Sequence, residues 1–276
     1  MEQKPTVALI TGASSGIGEA VAWRLARKPG TRLILVARRE DRLRALAKRL
    51  PCETTWVAAD LTDSDAPGRI LAHVQEHHPP LNLLVNNAGA SWRATFADGG
   101  YENVRRTMEI NFDAVLRITE TFLPMLRGAA PSAIVNIAST AGRISRAGAG
   151  AYSASKYALI GWSDSLHLEE APHGVHVGLV LPGFIATEGF PAEELRAKFL
   201  TRWMVSDVSK AAEAVYEAGV MGRPERYVPR PYGLIAVLKI IAPGLVRKVL
   251  SGGAAKAMTT KTGADAAEQA EKKSRA

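Results

Sequence analysis

The sequence predicts an α/β protein built on a doubly wound, mostly parallel sheet of about seven strands with helices on both faces. Three observations predict it. Apolar runs alternate strictly with amphipathic runs of helical period, a glycine-rich turn follows the first apolar run, and nothing resembling an interdomain linker precedes Ser251. Strand-like runs fall at Val7–Ile10, Leu33–Val36, Thr54–Ala58, Leu83–Asn86, Ala133–Ala138 and Val175–Leu181, with a short seventh near Arg226–Val228. The helical patterns between them cover Gly16–Lys28, Asp41–Arg49, Pro67–His77, Glu102–Leu126, Ala151–Glu170 and Asp207–Gly219. Parallel strands joined by right-handed helical crossovers place ligands at the carboxyl ends of the strands. Residues 1–230 read as one catalytic and cofactor-binding domain, 231–250 as an apolar helical extension, and 251–276 as a polar, disordered tail.

The composition narrows the function classes. One cysteine, Cys52, excludes an internal disulfide and a thiolate metal cluster, and fits a reducing cytoplasm. No run approaches the ~18 apolar residues that a membrane span requires. The formal charge is +8, but the stretch from Arg247 onward carries seven Lys or Arg against three Asp or Glu, so half of the excess lies in the tail. No recognition-helix, zinc-finger or RNA-binding motif accompanies the charge, so nucleic acid is not an expected partner.

Taken in order, the first element is the most informative. The apolar run Val7–Ile10 leads into Thr11-Gly12-Ala13-Ser14-Ser15-Gly16-Ile17-Gly18, and a helical pattern begins within it. A helix start offers free N–H groups and the positive end of a dipole, which suit a pyrophosphate. Gly12 allows the tight turn, Gly16 the approach of phosphate, and Gly18 the packing of helix on strand. The spacing is Gly-x-x-x-Gly-x-Gly, not the commoner Gly-x-Gly-x-x-Gly, and a glycine-rich turn without ligand is the plainer alternative.

The end of the second strand selects the nucleotide. NAD enzymes place an acid there to accept from the ribose 2′-hydroxyl; here Ala37 holds that place, followed by Arg38 and Arg39. Guanidinium groups suit a 2′-phosphate, so the expected cofactor is NADP(H). Asp60-Leu61 closes the third strand, where Asp60 can accept from an adenine amino group, or cap the next helix. Asn86-Asn87-Ala88-Gly89 closes the fourth and can tie strand ends together along a cofactor channel, although a plain turn uses the same residues.

Farther along, Tyr152 and Lys156 lie four apart on a predicted helix and so share one face. Ser139 ends the fifth strand, and Asn111 lies within the preceding helical run. Singly, each has an unremarkable reading: a surface Tyr, a snorkelling Lys, a capping Ser, a helix-interior Asn.

Together these motifs resemble the short-chain dehydrogenase/reductase family. The resemblance runs from about Thr6 to Val228 and rests on the glycine-rich turn, Asp60-Leu61, Asn86-Asn87-Ala88-Gly89, Asn111, Ser139, Tyr152-Ser153-Ala154-Ser155-Lys156 and Pro182-Gly183, in the family's order and spacing. It implies a Rossmann-type sheet and a nicotinamide cofactor, with Asn111, Ser139, Tyr152 and Lys156 catalytic. It further implies cofactor contacts from Gly12, Ser14, Ser15, Gly16, Ile17, Gly18, Arg38, Arg39, Asp60, Leu61, Asn87, Ala88, Gly89, Tyr152, Lys156, Pro182, Gly183, Ile185 and Thr187. A homodimer or homotetramer, paired through Glu102–Leu126 and Ala151–Glu170, is implied in the same way.

The chemistry has need of such groups. Hydride transfer to a carbonyl leaves an alkoxide that must receive a proton, which Tyr152 can give and, in oxidation, take back. A Lys156 ammonium ~5 Å away contributes ~3 kcal/mol at an effective dielectric of ~20, which lowers a phenol by roughly two pKa units. Ser139 can donate to the substrate oxygen. By the resemblance, Lys156 also binds the nicotinamide ribose, and Asn111 holds a water that touches Lys156.

Three segments are expected to wall the substrate: Ser91–Phe96, Thr140–Ala147 and Phe184–Met204, with Trp92, Phe96, Ile144, Phe184, Phe190, Phe199 and Trp203. Few fixed charges are expected to point inward, so the expected substrate is an apolar or aromatic carbonyl or alcohol. Glu193 and Glu194 are placed on an exposed lid helix. Residues 232–250 are almost wholly apolar, broken at Pro243-Gly244, and read as two short helices that cover the entrance, join subunits or rest on a membrane with Arg247 and Lys248 at the headgroups. His73, His77 and His78 cluster on one predicted helix; a solvated face is the expectation, not a metal site. The rival readings are a reductase of carrier-bound 3-oxoacyl groups, with an acidic carrier protein as partner, and a regulator that binds NADPH without turnover.

Overall fold

The computed structural model describes residues 6–77, 80–188, 197 and 202–251. Strands β1 (Val7–Thr11), β2 (Arg32–Ala37), β3 (Glu53–Ala58), β4 (Leu83–Asn86), β5 (Ser132–Ile137), β6 (Val175–Pro182) and β9 (Glu225–Val228) form one sheet in the order β3-β2-β1-β4-β5-β6-β9. All of its pairings are parallel, with Ile10 in register with Leu35 on one side and Val85 on the other. The sheet is thus the predicted doubly wound one.

Alternating strand residues build two cores. Ala8, Ile10, Leu33, Leu35 and Val85 face α1 (Gly16–Ala26), α2 (Glu40–Arg49) and α7 (Val208–Gly219), which contribute Val21, Leu25, Leu43, Leu46 and Val215. Val7, Leu9, Ile34, Val36 and Leu84 face α3 (Ala66–His77), α5 (Ala114–Gly128) and α6 (Gly150–Glu170), which contribute Ile70, Val74, Ile118, Phe122 and Leu166. Burial on both faces explains why these strands read as continuous apolar runs. The order reverses between β1 and β4, so the turns that leave these two strands open a crevice at the carboxyl edge.

Two expectations need correction. The run Glu102–Leu126 is not one helix: α4 (Phe96–Met108) carries a kink at Gly100, a π-type turn spans Glu109–Asp113, and α5 follows. The wider turn contains Asn111, whose side chain bonds to another segment, as described below. Within the expected substrate wall, β7 (Phe184–Ala186) and β8 (Val205–Asp207) pair as a small second sheet that the sequence reading lacked. Three-residue strands are too short for a period to register.

Beyond β9, α8 (Tyr232–Ile241) and α9 (Pro243–Ser251) are two helices separated at Ala242. Pro243 starts the second, as its fixed φ and missing N–H favour. The segment 189–196, the residues Phe199 and His78, and the tail beyond Ser251 lie outside the described residues, and with them the expectations for Phe190, Glu193 and Glu194. His73 and His77 stack with ring centroids 4.3 Å apart, and His73 Nε2 lies 3.0 Å from Thr55 Oγ on the neighbouring strand. Among the described residues no group of His, Cys, Asp or Glu could hold a metal ion.

Candidate active site

The glycine-rich turn connects β1 to α1 at the crevice. Gly12 (φ +66°) and Gly16 (φ +61°) occupy the left-handed region that side chains disfavour. A Cβ on Gly18 would overlap the Gly12 carbonyl oxygen and stand 2.6 Å from Asn87 Nδ2. Ser15 caps α1 by backbone conformation alone, without a side-chain bond, so the N–H groups at the helix start are not closed off by it. Thr187 reaches the same turn: a Cβ on Gly16 would lie 3.4 Å from its methyl.

Strand ends are fastened below this turn. Asn87 and Ala88 both donate backbone N–H groups to Thr11 Oγ, at 2.9 and 3.0 Å, and Asn87 Nδ2 donates to the Thr11 carbonyl at 2.8 Å. Deeper, Asn86 donates to Asn136 and Thr119, and Asn136 donates to Ser163 on α6. This buried chain of amides links β4, β5 and α6 and holds the phenol-bearing helix in register with the sheet.

The two arginines after β2 differ in position. Arg39 Nη2 donates to Ser14 Oγ at 2.9 Å and to Ser15 Oγ at 2.7 Å, so its guanidinium lies across the glycine-rich turn. Arg38 lies 3.6 Å from Asp60, largely in solvent. Burial alone would raise the Asp60 carboxyl; the Thr62 N–H and hydroxyl, together with Arg38, more than offset it and hold it low. Asp60 thus closes a local turn with Thr62 and does not cap α3, which starts only at Ala66, while it sits at the strand end that the cofactor reading requires. Leu61 and Ile185 are buried, Ile17 packs on the core, and Gly183 donates its N–H to Val228. Arg42 and Glu188 form an ion pair at 2.8 Å between α2 and the residue after Thr187, a crossing that the sequence reading missed.

Tyr152 and Lys156 stand one turn apart on α6. Lys156 Nζ is 5.8 Å from the Tyr152 ring centroid and donates to the Ile137 carbonyl at 2.9 Å. With Lys156 only 4 % exposed, burial lowers its ammonium to about 8. Tyr152 moves opposite to the expectation. Burial raises the phenol above its ordinary value, and the Ser139 hydroxyl and the charge of Arg146 return only part of that rise. The two-unit lowering expected from Lys156 does not show, because burial of the phenol outweighs the groups that favour its charged form. Ser139 accepts from the Ala141 N–H at 3.1 Å and donates to the Pro182 carbonyl at 3.3 Å, a long bond that a better acceptor can displace.

Asn111 is fully buried, and three hydrogen bonds hold its side chain. Its amide donates to the Ala90 carbonyl and to Ser155 Oγ, and its oxygen accepts from the Ala90 N–H. The side chain therefore fixes the loop after β4; Gly89 fits there because a Cβ would lie 2.7 Å from Asn111 Oδ1 and 3.6 Å from Lys156 Nζ. Both N–H groups of the amide are thereby committed.

The substrate wall departs from the sequence reading. Phe96 is 74 % exposed at the start of α4, so it does not line the pocket. Trp92 instead lies under Arg106, whose guanidinium is 4.7 Å above the ring. Arg146 lies 4.5 Å over the Phe184 ring, close enough to Tyr152 for its charge to act on the phenol, with Arg93 beside it. The pocket side thus carries fixed charge. No hydrophobic period could have flagged Arg146, which sits in a loop of small residues. Tyr232 of α8 closes the wall; a Cβ on Gly183 would overlap its ring, and the Trp203 ring is 5.6 Å away.

A glycine-rich turn at a sheet switch point, with a half-buried Tyr and a buried Lys on one helix face, marks an α/β oxidoreductase of the nicotinamide-nucleotide class. A family model described as short chain dehydrogenase matches residues 6–196, and the chain belongs to that family. It is 33 % identical over 252 residues to an 11-beta-hydroxysteroid dehydrogenase-like protein of Arabidopsis thaliana, covering 88 % of this chain and 80 % of that one. It is 34 % identical over 249 residues to a Streptomyces coelicolor protein provisionally named a ketoacyl reductase, covering 88 % and 92 %. A third relative, provisionally named a ketoacyl reductase of the granaticin polyketide synthase in Streptomyces violaceoruber, is 37 % identical over 206 residues, 73 % of this chain and 75 % of that one.

Proposed function

We propose that this chain is an NADP(H)-dependent oxidoreductase that interconverts a carbonyl and a secondary alcohol on an apolar or aromatic frame, with Tyr152 as general acid and base. The observation that carries the reading is the convergence of Ser139, Tyr152 and Lys156 beside the glycine-rich turn. The nucleotide, when bound, supplies or accepts the hydride. Ser139 donates to the substrate oxygen, Tyr152 delivers the proton to it, and Lys156 supplies positive charge that favours the phenolate. Asn111 positions the loop carrying Gly89 against Lys156.

The turn fits a pyrophosphate, since two left-handed glycines and an uncapped helix start expose backbone N–H groups. Arg38 and Arg39 fit a 2′-phosphate, and Arg39 already bridges two hydroxyls at that turn. Arg39→Ala and Arg38→Ala are each expected to weaken NADPH binding about 10-fold or more, the worth of a charge-assisted bond, and to leave NADH within about twofold. Fluorescence titration with both nucleotides checks this; equal losses for the two would reject the phosphate assignment.

Turnover of a carrier-bound 3-oxoacyl group is the second reading, favoured by the names of the two Streptomyces relatives. A regulator without turnover would have no use for the Ser–Tyr–Lys constellation. NADPH oxidation over ketones, aldehydes and acyl thioesters separates the three.

We place the protein in the cytoplasm as a homodimer or homotetramer. An outward apolar groove between α5 and α6, lined by Leu116, Leu123, Trp162 and Leu166, supports pairing through those helices. Among the described residues no helix is long and apolar enough to cross a membrane. Leu234 (76 % exposed), Ile240 (78 % exposed), Ile241, Leu245 and Val249 nevertheless leave an apolar face on α8 and α9, which supports peripheral membrane contact. Full-length protein is expected to float with anionic liposomes, and a chain stopped before Tyr232 to remain at the bottom of the gradient; equal flotation of both would remove the membrane assignment.

A further inference from the structure

The pocket holds an excess of positive charge for which the reaction proposed above has no need. Arg146 lies in the loop between Ser139 and Tyr152, lodged 4.5 Å over the Phe184 ring. The titratable groups that act on it are Arg93, of like charge, and the neutral phenols of Tyr152 and Tyr232. Neither an ion pair nor a side-chain hydrogen bond ties its guanidinium to a carboxylate among the described residues. The neighbouring arginine of the same loop, Arg143, is by contrast paired with Glu225 at 3.2 Å. Lys156 likewise reaches a backbone carbonyl and not an acid.

Two cations, Arg146 and Lys156, thus stand near the phenol, and among the described residues no ion pair with an acid neutralises either. Drawing a guanidinium into a partly desolvated pocket is unfavourable unless an anion or a polar network compensates it. Stacking on Phe184 offsets some of that cost and also fixes the planar group, leaving its edge donors free to engage a ligand.

We propose that Arg146 is an anion subsite of the substrate pocket, receiving a carboxylate that the carbonyl substrate carries within a few bonds of its reacting carbon. This rests on the reading of Tyr152 as the group that meets the substrate oxygen, because nearness to Tyr152 sets how far the carboxylate lies from the carbonyl. The aromatic surfaces of Phe184, Tyr232 and Trp203 take the frame of the substrate, and Arg146 takes its charge. An aryl or alkyl oxo acid, or the corresponding hydroxy acid, is the substrate class. Planar, two-pronged recognition of a carboxylate is what distinguishes Arg from Lys at such a place.

The test is a binding measurement and needs no turnover. Benzoate and its neutral isostere benzamide are titrated calorimetrically into the full-length enzyme, with and without saturating NADPH, whose reduced ring adds no positive charge. Wild type is expected to bind benzoate at least tenfold more tightly than benzamide. That preference should disappear in Arg146→Gln and persist in part in Arg146→Lys. Benzoate binding no tighter than benzamide in wild type, or a preference untouched by Arg146→Gln, overturns the subsite. Far-ultraviolet circular dichroism of the variants guards against loss of fold, and the wild-type comparison decides on its own if a variant does not fold. An anion preference without any nicotinamide turnover would keep the subsite and reject the enzyme reading; NADPH-dependent turnover of neutral ketones without an anion preference would do the reverse.

Discussion

Tyr152→Phe is expected to lower turnover by about 10²–10⁴-fold, the usual worth of a positioned general acid or base, while nucleotide affinity stays near that of wild type. The substitution removes one oxygen from a ring whose packing is otherwise kept, so the fold has little to lose. Ser139 keeps its bonds to Ala141 and Pro182, and Lys156 keeps Ile137. What disappears is the proton that must reach the substrate oxygen. Without bound nucleotide the phenol is raised by burial and Lys156 is lowered to about 8. The ammonium is therefore mostly charged below pH 8 and loses its charge as the pH rises through that value. Its help to the phenolate belongs to the lower side of that window. Steady-state rates in both directions, with nucleotide binding measured separately, check the role; near-normal turnover of the variant would refute it.

Gly18→Ala is expected to cost about 3 kcal/mol of stability, at the upper end for overpacking, and to weaken nucleotide binding more than tenfold. The new methyl would overlap the Gly12 carbonyl oxygen and press on Asn87 Nδ2 at 2.6 Å. Neither is the loose end of a flexible side chain. Gly12 is part of the turn itself, and Asn87 Nδ2 already donates to the Thr11 and Gly12 carbonyls. Relief requires α1 to move away from the turn, which displaces the N–H groups meant for the pyrophosphate. Thermal unfolding together with a nucleotide titration reads both effects; a variant with wild-type melting and affinity would contradict the tight fit.

Much of this was legible before any coordinates. The sheet, its two-sided burial and the glycine-rich turn announce themselves through period and spacing, because each strand must be apolar on both faces and the turn tolerates few residues. Tyr152 and Lys156 could be set on one face by counting alone. Other features were beyond that reach. The break in the helix around Asn111 depends on a bond to Ala90, twenty-one residues away in sequence. The exposure of Phe96 follows from where α4 begins, which composition does not fix. The inward placement of Arg146 depends on Phe184, brought near by the β7–β8 pairing that no period reveals. The raised phenol of Tyr152 could not be foreseen from a Tyr–Lys spacing, since spacing does not tell how far the ring is desolvated.

The last helices bear on more than the surface they expose. Tyr232 fills the space over Gly183, and Lys239 donates to the Arg143 carbonyl at 2.6 Å and to the Tyr157 hydroxyl on α6. These residues leave the ribosome after every strand of the main sheet has been made. A nascent chain can therefore assemble its nucleotide crevice while one side of the chamber is still missing, and that side is supplied only after the last strand of the sheet.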